Sequence, residues 1–333
     1  MKSSALTVQA QVLQLRACLN SQILGQSGLV SRLLIALLAD GHLLVEGAPG
    51  LAKTRAVKEL STRVEGRFHR IQFTPDLLPG DLTGTDVYHP EDGSFAFLPG
   101  PIFHHMLLAD EINRAPAKVQ SALLEAMAER QVTIGSKTYP LPELFLVMAT
   151  QNPIEQEGTY PLPEAQLDRF LMYVKMGYPD AQVEREILTL ARNEAMEANV
   201  LSEKAPSTNE TIPPLPQRTL FEARQQVLNV HTSEALETYI VQLVVGTRNP
   251  SVYSDALARW LRFGASPRAT IALDRCSKAH AWLAGRDYVR PDDIHAIVHD
   301  VLRHRILLTF EAEAEGISSD DFIDELLRQV ALP

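Results

Sequence analysis

One short stretch of the chain has the residue types and spacing of a loop that binds phosphate groups. It follows an apolar run at residues 43–45, which predicts a buried strand, and precedes residues 55–64, which predict a helix. A turn in this position directs backbone N–H groups at phosphate oxygens, and the helix N-terminus favours the same negative charge. Lys53 would reach the β- and γ-phosphates of ATP, and the Thr54 hydroxyl would hold Mg²⁺. The predicted nucleotide-binding residues are Gly47, Ala48, Pro49, Gly50, Leu51, Ala52, Lys53, Thr54 and Arg55.

A second apolar run, residues 103–109, leads directly into two carboxylates, Asp110 and Glu111. The last residues of a parallel strand lie at the carboxyl edge of the sheet, where α/β proteins bind their ligands. Asp110 would hold Mg²⁺, either directly or through water. Glu111 would orient and deprotonate the attacking water, which requires a carboxylate within hydrogen-bond reach. Because the pair follows the phosphate loop by about 60 residues, it predicts the second half of an ATP site.

The composition limits the class of protein. A chain of 333 residues with 45% hydrophobic content can bury a full core and is long enough for two domains. Its two cysteines, Cys18 and Cys276, favour a reducing, cytoplasmic setting. No apolar run is long enough to span a bilayer, so no membrane insertion is expected. The net charge of −10 argues against a general nucleic-acid-binding surface.

The pattern of elements changes near residue 178. Before it, strands alternate with helices, which predicts an α/β domain at 1–178 with a parallel five-stranded sheet. Alternating apolar residues around turn signals predict β-hairpins inserted at about 84–100 and 131–140. After it, residues 179–333 predict an all-α domain. The predicted sheet strands are 43–46, 70–73, 103–109, 144–150 and 170–176, and the predicted helices of the second domain are 180–197, 217–229, 232–246, 253–262, 267–284, 291–303 and 319–330.

Over nearly its whole length the chain resembles AAA+ ATPases, and most closely the MoxR family. The phosphate loop of that family typically reads GxPGxAKT, so Ala52 in place of the more usual glycine is a family trait. Residues 110–114 are similar to the acidic motif of the family. Residues 149–153 are similar to its sensor 1 motif, in which Asn152 would help to position the attacking water. Both hairpins fall where this clade inserts them.

The resemblance also implies two arginines that act on the phosphates. Residues 162–170 are similar to the segment that carries the arginine finger, which implies Arg169, with Arg114 as the alternative. Residues 264–269 are similar to the start of the sensor 2 helix of the lid, which implies Arg268, acting either within its own subunit or on a neighbour. Because a finger is delivered by a neighbouring subunit, the resemblance implies a homo-oligomeric ring, expected to be a hexamer.

The function implied by the resemblance is Mg²⁺-dependent ATP hydrolysis that drives chaperone-like remodelling or assembly of a protein client, with a partner that contains a von Willebrand factor A domain. The alternatives are the ATPase subunit of a metal chelatase, a nucleic-acid motor of the same clade, and an assembly scaffold that does not hydrolyse ATP. In the motors the hairpin tips typically present basic residues. Here the hairpins carry His89, Glu91, Asp92 and a single lysine, Lys137, which favours a protein client.

Overall fold

The computed structural model describes residues 6–48, 51, 53–91, 93–153, 158–201 and 213–332. Within these residues the centre of the molecule is the predicted sheet of five parallel strands. In chain order the strands are β1 (Leu43–Glu46), β2 (Phe68–Gln72), β3 (Gly84–His89), β4 (Ser94–Pro99), β5 (Met106–Asp110), β6 (Gln131–Ile134), β7 (Lys137–Pro140), β8 (Leu146–Gln151), β9 (Met172–Lys175), β10 (Leu261–Phe263) and β11 (Leu307–Leu308).

Helices surround this sheet and make up most of the second half of the chain. In chain order they are α1 (Val8–Gln22), α2 (Ser27–Leu38), α3 (Lys53–Arg63), α4 (Pro79–Thr83), α5 (Ala117–Glu129), α6 (Glu164–Leu167), α7 (Ala181–Leu201), α8 (Gln217–Leu228), α9 (Glu234–Gly246), α10 (Asp255–Trp260), α11 (Pro267–Leu283), α12 (Pro291–His295), α13 (Val298–Leu302), α14 (Phe310–Ala314) and α15 (Ser319–Gln329). Single 3₁₀ turns lie at Pro101–Phe103, Ile112–Arg114 and Pro250–Val252.

The sheet order is β2-β5-β8-β1-β9. Its register places Glu46 beside Gln151 and Gln72 beside Asp110, so β1, β2, β5 and β8 end together at one edge. Successive side chains of a strand point to opposite faces. Leu43 and Val45 therefore join the core that contains α1, α2, α3 and much of the helical half, whereas Leu44 joins the core that contains α5. The two cores hold the sheet in a fixed orientation between the layers of helices.

Both predicted hairpins are present, as β3–β4 and β6–β7. They contact each other through Phe97 and Tyr139, whose rings stack with centroids 4.1 Å apart and planes 22° apart. Tyr88 and Phe95 are exposed near the turn of the first hairpin. Asp92, which belongs to the predicted turn of this hairpin, lies outside the described residues.

The helical half, residues 179–332, is here called the lid, and it departs from the predicted helices at two places. The helix expected at 253–262 ends at Trp260, because the next residues form β10, which pairs with β11 as a short antiparallel ladder. The helix expected at 291–303 is divided into α12 and α13, because Ile297 leaves helical geometry with φ −123° and ψ −10°. None of the helices among the described residues combines the length and apolarity needed to cross a membrane.

Candidate active site

The phosphate loop lies between β1 and α3, as predicted. Lys53 begins α3, and its ammonium group donates a hydrogen bond to the carbonyl oxygen of Gly47 at 2.7 Å and lies 3.5 Å from that of Gln151. The lysine therefore links the carboxyl ends of β1 and β8. The first turn of α3 contains no acidic residue, so the helix N-terminus is open to an anion. Thr54 is half-buried in the same turn, whereas Pro49, Gly50 and Ala52 lie outside the described residues.

Asp110 is the last residue of β5 and is held by side chains from both flanking strands. Arg70 of β2 donates to one carboxylate oxygen through Nε and Nη2, at 3.1 and 2.7 Å. Thr150 of β8 donates its hydroxyl to the other oxygen at 2.6 Å. These three bonds fix the orientation of the carboxylate at the sheet edge.

Glu111 follows in left-handed backbone geometry, with φ 57° and ψ 51°. Few residues other than glycine adopt this conformation, and it occurs most often where the surroundings enforce it, as at active sites. Its carboxylate accepts hydrogen bonds from Gln72 Nε2 at 2.7 Å and forms an ion pair with Arg114 Nε at 3.0 Å. Its backbone N–H donates to the Thr150 hydroxyl at 3.0 Å.

Thr150 thus connects the two acids, a role that the sequence analysis did not assign. The residue is fully buried, and its one hydroxyl donates to Asp110 and accepts from the Glu111 backbone. A buried hydroxyl in an otherwise apolar strand needs hydrogen-bond partners, and this was the available signal in the sequence. Arg70 and Gln72 were also missed, because their partners lie across the sheet and depend on its register.

Asn152 follows β8 at the same edge and is buried. It borders a cavity of about 290 Å³ that is also lined by Asn113, Glu46 and Tyr173. The Tyr173 hydroxyl donates to the Glu46 carboxylate, and burial together with this hydrogen bond raises the pKa of Tyr173. The structure therefore brings Asn152, Lys53 and the two acids to one edge of the sheet.

Arg169 lies elsewhere. It is half-buried and precedes β9, so it lies at the amino edge of the sheet, whereas the phosphate loop and the acids lie at the carboxyl edge. Among the described residues its side chain forms no ion pair. The neighbouring Asp168, which is a possible partner by sequence, is instead bound to Arg305, whose Nε lies 2.8 Å from the carboxylate.

Arg268 lies close to the same carboxylate. Ser266 is the N-cap of α11, and its hydroxyl accepts a hydrogen bond from the Arg268 backbone and donates to Asp168 at 2.8 Å. The Arg268 guanidinium is 54% exposed and lies 3.7 Å from Asp168. The structure therefore brings Arg268 to the segment of Arg169 rather than to Asp110 and Glu111.

A pocket that the sequence analysis did not predict lies beside the phosphate loop. It has a volume of about 240 Å³ and is formed where the loop between α1 and α2 meets the start of α7. Gly25 makes this contact possible, because its φ is +71° and a Cβ there would lie 2.2 Å from Val183. The slot is mainly apolar and borders Leu51 and Arg55 of the predicted phosphate loop. Its lining includes Ile23, Leu24, Leu51, Arg55, Tyr178 and Ile187.

Comparison with known proteins gives one consistent result. Residues 42–172 match the profile of the ATPase family associated with various cellular activities (AAA), and residues 256–326 match that of the AAA lid domain. The chain is 47% identical over 312 residues to the chaperone MoxR1 of Mycobacterium tuberculosis. The aligned region covers 93% of this chain and 79% of that protein. It is 42% identical over 316 residues to the YeaC protein of Bacillus subtilis, covering 95% and 92% of the two chains.

A solved structure agrees with this relationship at the level of the fold. The crystal structure of a protein from Cytophaga hutchinsonii, described as a candidate ATPase, superposes with a TM-score of 0.87 at 46% sequence identity. The match covers 98% of this chain and 96% of the other.

Proposed function

This chain belongs to the MoxR family of AAA+ ATPases and is an ATPase, and we propose that each of its ATP sites is completed by Arg169 of a neighbouring copy. The observation that carries the proposal is the position of Arg169 at the amino edge of the sheet. At about 3.3 Å per residue, the four-residue strands β1 and β9 separate the two edges by about 13 Å. An arginine at that edge lies about one strand length from its own phosphate loop, and this distance supports an action on another copy.

Within one copy, the remaining roles follow from the contacts at the carboxyl edge. Lys53 binds the β- and γ-phosphates, because its ammonium group already lies at the ends of β1 and β8. Glu111 accepts a proton from the attacking water, and Asn152 positions that water. The slot lined by Ile23 and Tyr178 holds the adenine ring.

The donor set also fits Mg²⁺. The Thr54 hydroxyl and the Asp110 carboxylate are oxygen ligands of the kind that this ion prefers. Asp110 already accepts three hydrogen bonds, two from Arg70 and one from Thr150, so about one of the roughly four lone-pair positions of a carboxylate stays open. When bound, Mg²⁺ would supply positive charge that stabilises the phosphates during their transfer.

A site shared between identical copies implies a head-to-tail contact, and such contacts close into a ring when the rotation permits. We expect the ring to be a hexamer. Arg268 lies beside Asp168 at the same edge as Arg169, so its contribution is also proposed to reach the site of the neighbour. The mass of the Glu111→Gln variant with ATP and Mg²⁺ in solution tests this proposal, and a monomer at all concentrations would contradict it.

The work driven by hydrolysis is proposed to be the remodelling or assembly of a protein client, together with a partner that contains a von Willebrand factor A domain. The chaperone name of the relative and the exposed aromatic side chains of Tyr88 and Phe95 support a protein client. The test is affinity capture with the Glu111→Gln ring in ATP, with the Lys53→Ala variant as the control. If both variants retain the same proteins, ATP-dependent client binding is wrong.

A mixing experiment tests the shared site directly. Arg169→Ala should bind ATP yet lose hydrolysis by about 10³-fold or more, because its charge acts in the transition state. Lys53→Ala should be inactive because it does not bind ATP tightly. A mixture of the two should regain activity at interfaces where an intact Lys53 meets an intact Arg169. If subunits exchange and no activity returns, Arg169 is not a finger that acts on a neighbour, and Arg114 becomes the next residue to test.

A further inference from the structure

A single lid residue, Arg305, holds the segment that carries Arg169. Its side chain is 3% exposed and lies in the turn between α13 and β11. All five of its N–H groups have an acceptor. Nε donates to the Asp168 carboxylate at 2.8 Å, Nη1 to the carbonyl oxygens of Leu171 (3.2 Å) and Val301, and Nη2 to those of Phe170 (2.6 Å) and Asp168 (3.3 Å). Four of the five acceptors therefore lie within two residues of Arg169.

This arrangement is rigid. A guanidinium group presents its donors in a fixed planar fork, so the positions of the four acceptors on the 168–171 segment are set relative to the lid. Burial lowers the pKa of Arg305, while the adjacent Asp168 carboxylate raises it. Because removal of one partner of a buried ion pair leaves an uncompensated charge, the segment cannot leave Arg305 without a large cost in free energy.

Two neighbours of Arg305 bind the same stretch of chain: Arg303 binds β9, and His304 contacts the Phe170 carbonyl oxygen that also accepts from Arg305. Arg303 donates to the carbonyl oxygen of Tyr173 at 2.6 Å and forms ion pairs with Asp300 and Asp320, and its hydrogen bonds within the described part of the chain do not include residues 168–171. His304 Nε2 lies 3.2 Å from the carbonyl oxygen of Phe170. Arg305 is thus the lid residue with the most contacts to the 168–171 segment, and Arg303 offers a matched control.

The lid also borders the slot proposed for adenine. Ile187 of α7 lines this slot, together with Tyr178, which lies just before the lid. The same lid carries Ser266, Arg268 and Arg305, which converge on Asp168. The slot and the Asp168 contacts therefore involve different parts of the lid, α7 for the slot and residues 266–305 for the contacts.

We propose that Arg305 is a positioning residue through which the lid of one subunit sets the position of Arg169 in the site of the next subunit. The inference rests on the proposed function, in which Arg169 acts on a neighbour. It goes further because the hydrolysis of an ATP bound by one subunit would then depend on a lid residue of the neighbouring subunit that supplies Arg169. Arg305 touches neither the nucleotide nor the attacking water, and it acts only through the 168–171 segment.

The test uses the mixture of the two inactive variants, in which one variant supplies Arg169 and the other binds the ATP. Lys53→Ala subunits donate Arg169, and Arg169→Ala subunits bind the ATP. Arg305→Lys is then added either to the donor or to the acceptor. Lysine keeps the charge but loses the fork, so in the donor it should lower the recovered kcat by about tenfold, since small misplacements of a catalytic group can cost up to about 10²-fold. The KM for ATP should not change. In the acceptor the same substitution should leave the recovered rate close to that of the unmodified mixture.

The controls separate positioning from loss of structure. Arg303→Lys in the donor should leave the recovered rate near that of the unmodified mixture, and thermal unfolding of each variant should show a folded protein. If Arg305→Lys does not fold, Asp168→Asn in the donor removes the same ion pair and should give the same loss. An unchanged rate, or an equal loss in donor and acceptor, would overturn the inference while the proposed function stands. If subunits exchange and the unmodified mixture regains no activity, the proposed action of Arg169 on a neighbour and this inference are both wrong.

Discussion

The charged groups of the site are held in two different ways. Among the described residues, the side chains that hold Asp110 and Glu111 come from the α/β half, from β2, β8 and the turn after β5. The segment that carries Arg169 is held from the lid, by Ser266, Arg268 and Arg305. The geometry of the acids is therefore independent of the lid, whereas the position of the arginine depends on it.

This difference assigns different tasks to the two regions. In the proposed mechanism, the acids prepare the attacking water in a geometry that is fixed by the register of the sheet. In the same proposal, the arginine completes the charge stabilisation only when the lid of its own subunit presents it correctly. The bonds differ in strength accordingly: Arg70 is 50% exposed, so its pair with Asp110 contributes little to stability, whereas the Arg305–Asp168 pair is buried and costly to break.

The largest expected effect comes from a substitution that changes the acidic pair, Asp110 and Glu111, and leaves the lid contacts intact. Glu111→Gln should lower kcat by about 10²- to 10⁴-fold while ATP binding is retained, because an amide accepts no proton from water but still accepts hydrogen bonds from Gln72 and Arg114. Steady-state hydrolysis and equilibrium ATP binding measure the two quantities. Glu125→Gln, at an exposed position of α5, is the matched control and should leave both unchanged. Turnover at the parent rate in Glu111→Gln would assign the base to another carboxylate.

The second prediction sharpens the statement that the α/β half positions its own acids. Thr150→Val keeps the volume but leaves the Asp110 carboxylate and the Glu111 N–H without their buried partner. We expect kcat to fall by about tenfold through misplacement of the acids. Thr83→Val provides the control, since Thr83 is a buried threonine whose hydroxyl bonds only to backbone carbonyls away from the acids. Equal losses in the two variants would mean that a buried hydroxyl stabilises the fold and does not position the acids.

The sequence predicted the parts of this comparison that depend on local pattern. The phosphate loop, the acids, both hairpins and the start of α11 are recognisable because each depends on a few consecutive residues. The contacts that hold them were not predictable in this way. Thr150 on β8 reaches the acids at the end of the neighbouring strand β5. Arg305 contacts a segment more than a hundred residues before it. Both contacts therefore depend on the packing of the finished fold. The slot proposed for adenine was missed for the same reason, because it joins residues 22–26 to the start of α7.

A third prediction concerns His42, a buried histidine that directly precedes β1 at the amino edge of the sheet. His42 is fully buried, accepts a hydrogen bond from the Val147 N–H at Nδ1 and lies near the Met127 carbonyl oxygen at Nε2. Burial, and then the charge of Arg130, lower the pKa of His42 from 6.5 to about 3. The unfolded chain therefore binds more protons than the folded one between these two pH values. The stabilisation is complete above pH 6.5 and is lost as the pH falls toward 3.

From the shift at His42, the parent should lose about 2 kcal/mol of unfolding free energy between pH 7.5 and pH 5 through this residue. Urea unfolding at both pH values should show a smaller loss for His42→Gln, by about that amount. His89→Gln, at the exposed end of β3, should lose as much as the parent. Since His304 is present in every variant, its own lowered pKa cancels in the comparison. An equal pH dependence of all three proteins would show that His42 does not titrate on unfolding.

The smallest expected effect is that of DNA, and it follows from where the chain places its arginines. Arg70, Arg303 and Arg305 are paired with carboxylates of the same chain, and the net charge is −10. A nucleic-acid motor needs cations directed at phosphates, and binding through them weakens steeply as salt rises. Single-stranded and duplex DNA should therefore leave the rate of ATP hydrolysis unchanged at low and at physiological salt. The single-stranded form is the stricter test, because the exposed rings of Tyr88 and Phe95 could stack on bases without any basic residue. If DNA stimulates hydrolysis in a salt-dependent way, the hairpins contact nucleic acid, and the client of the ring is not a protein.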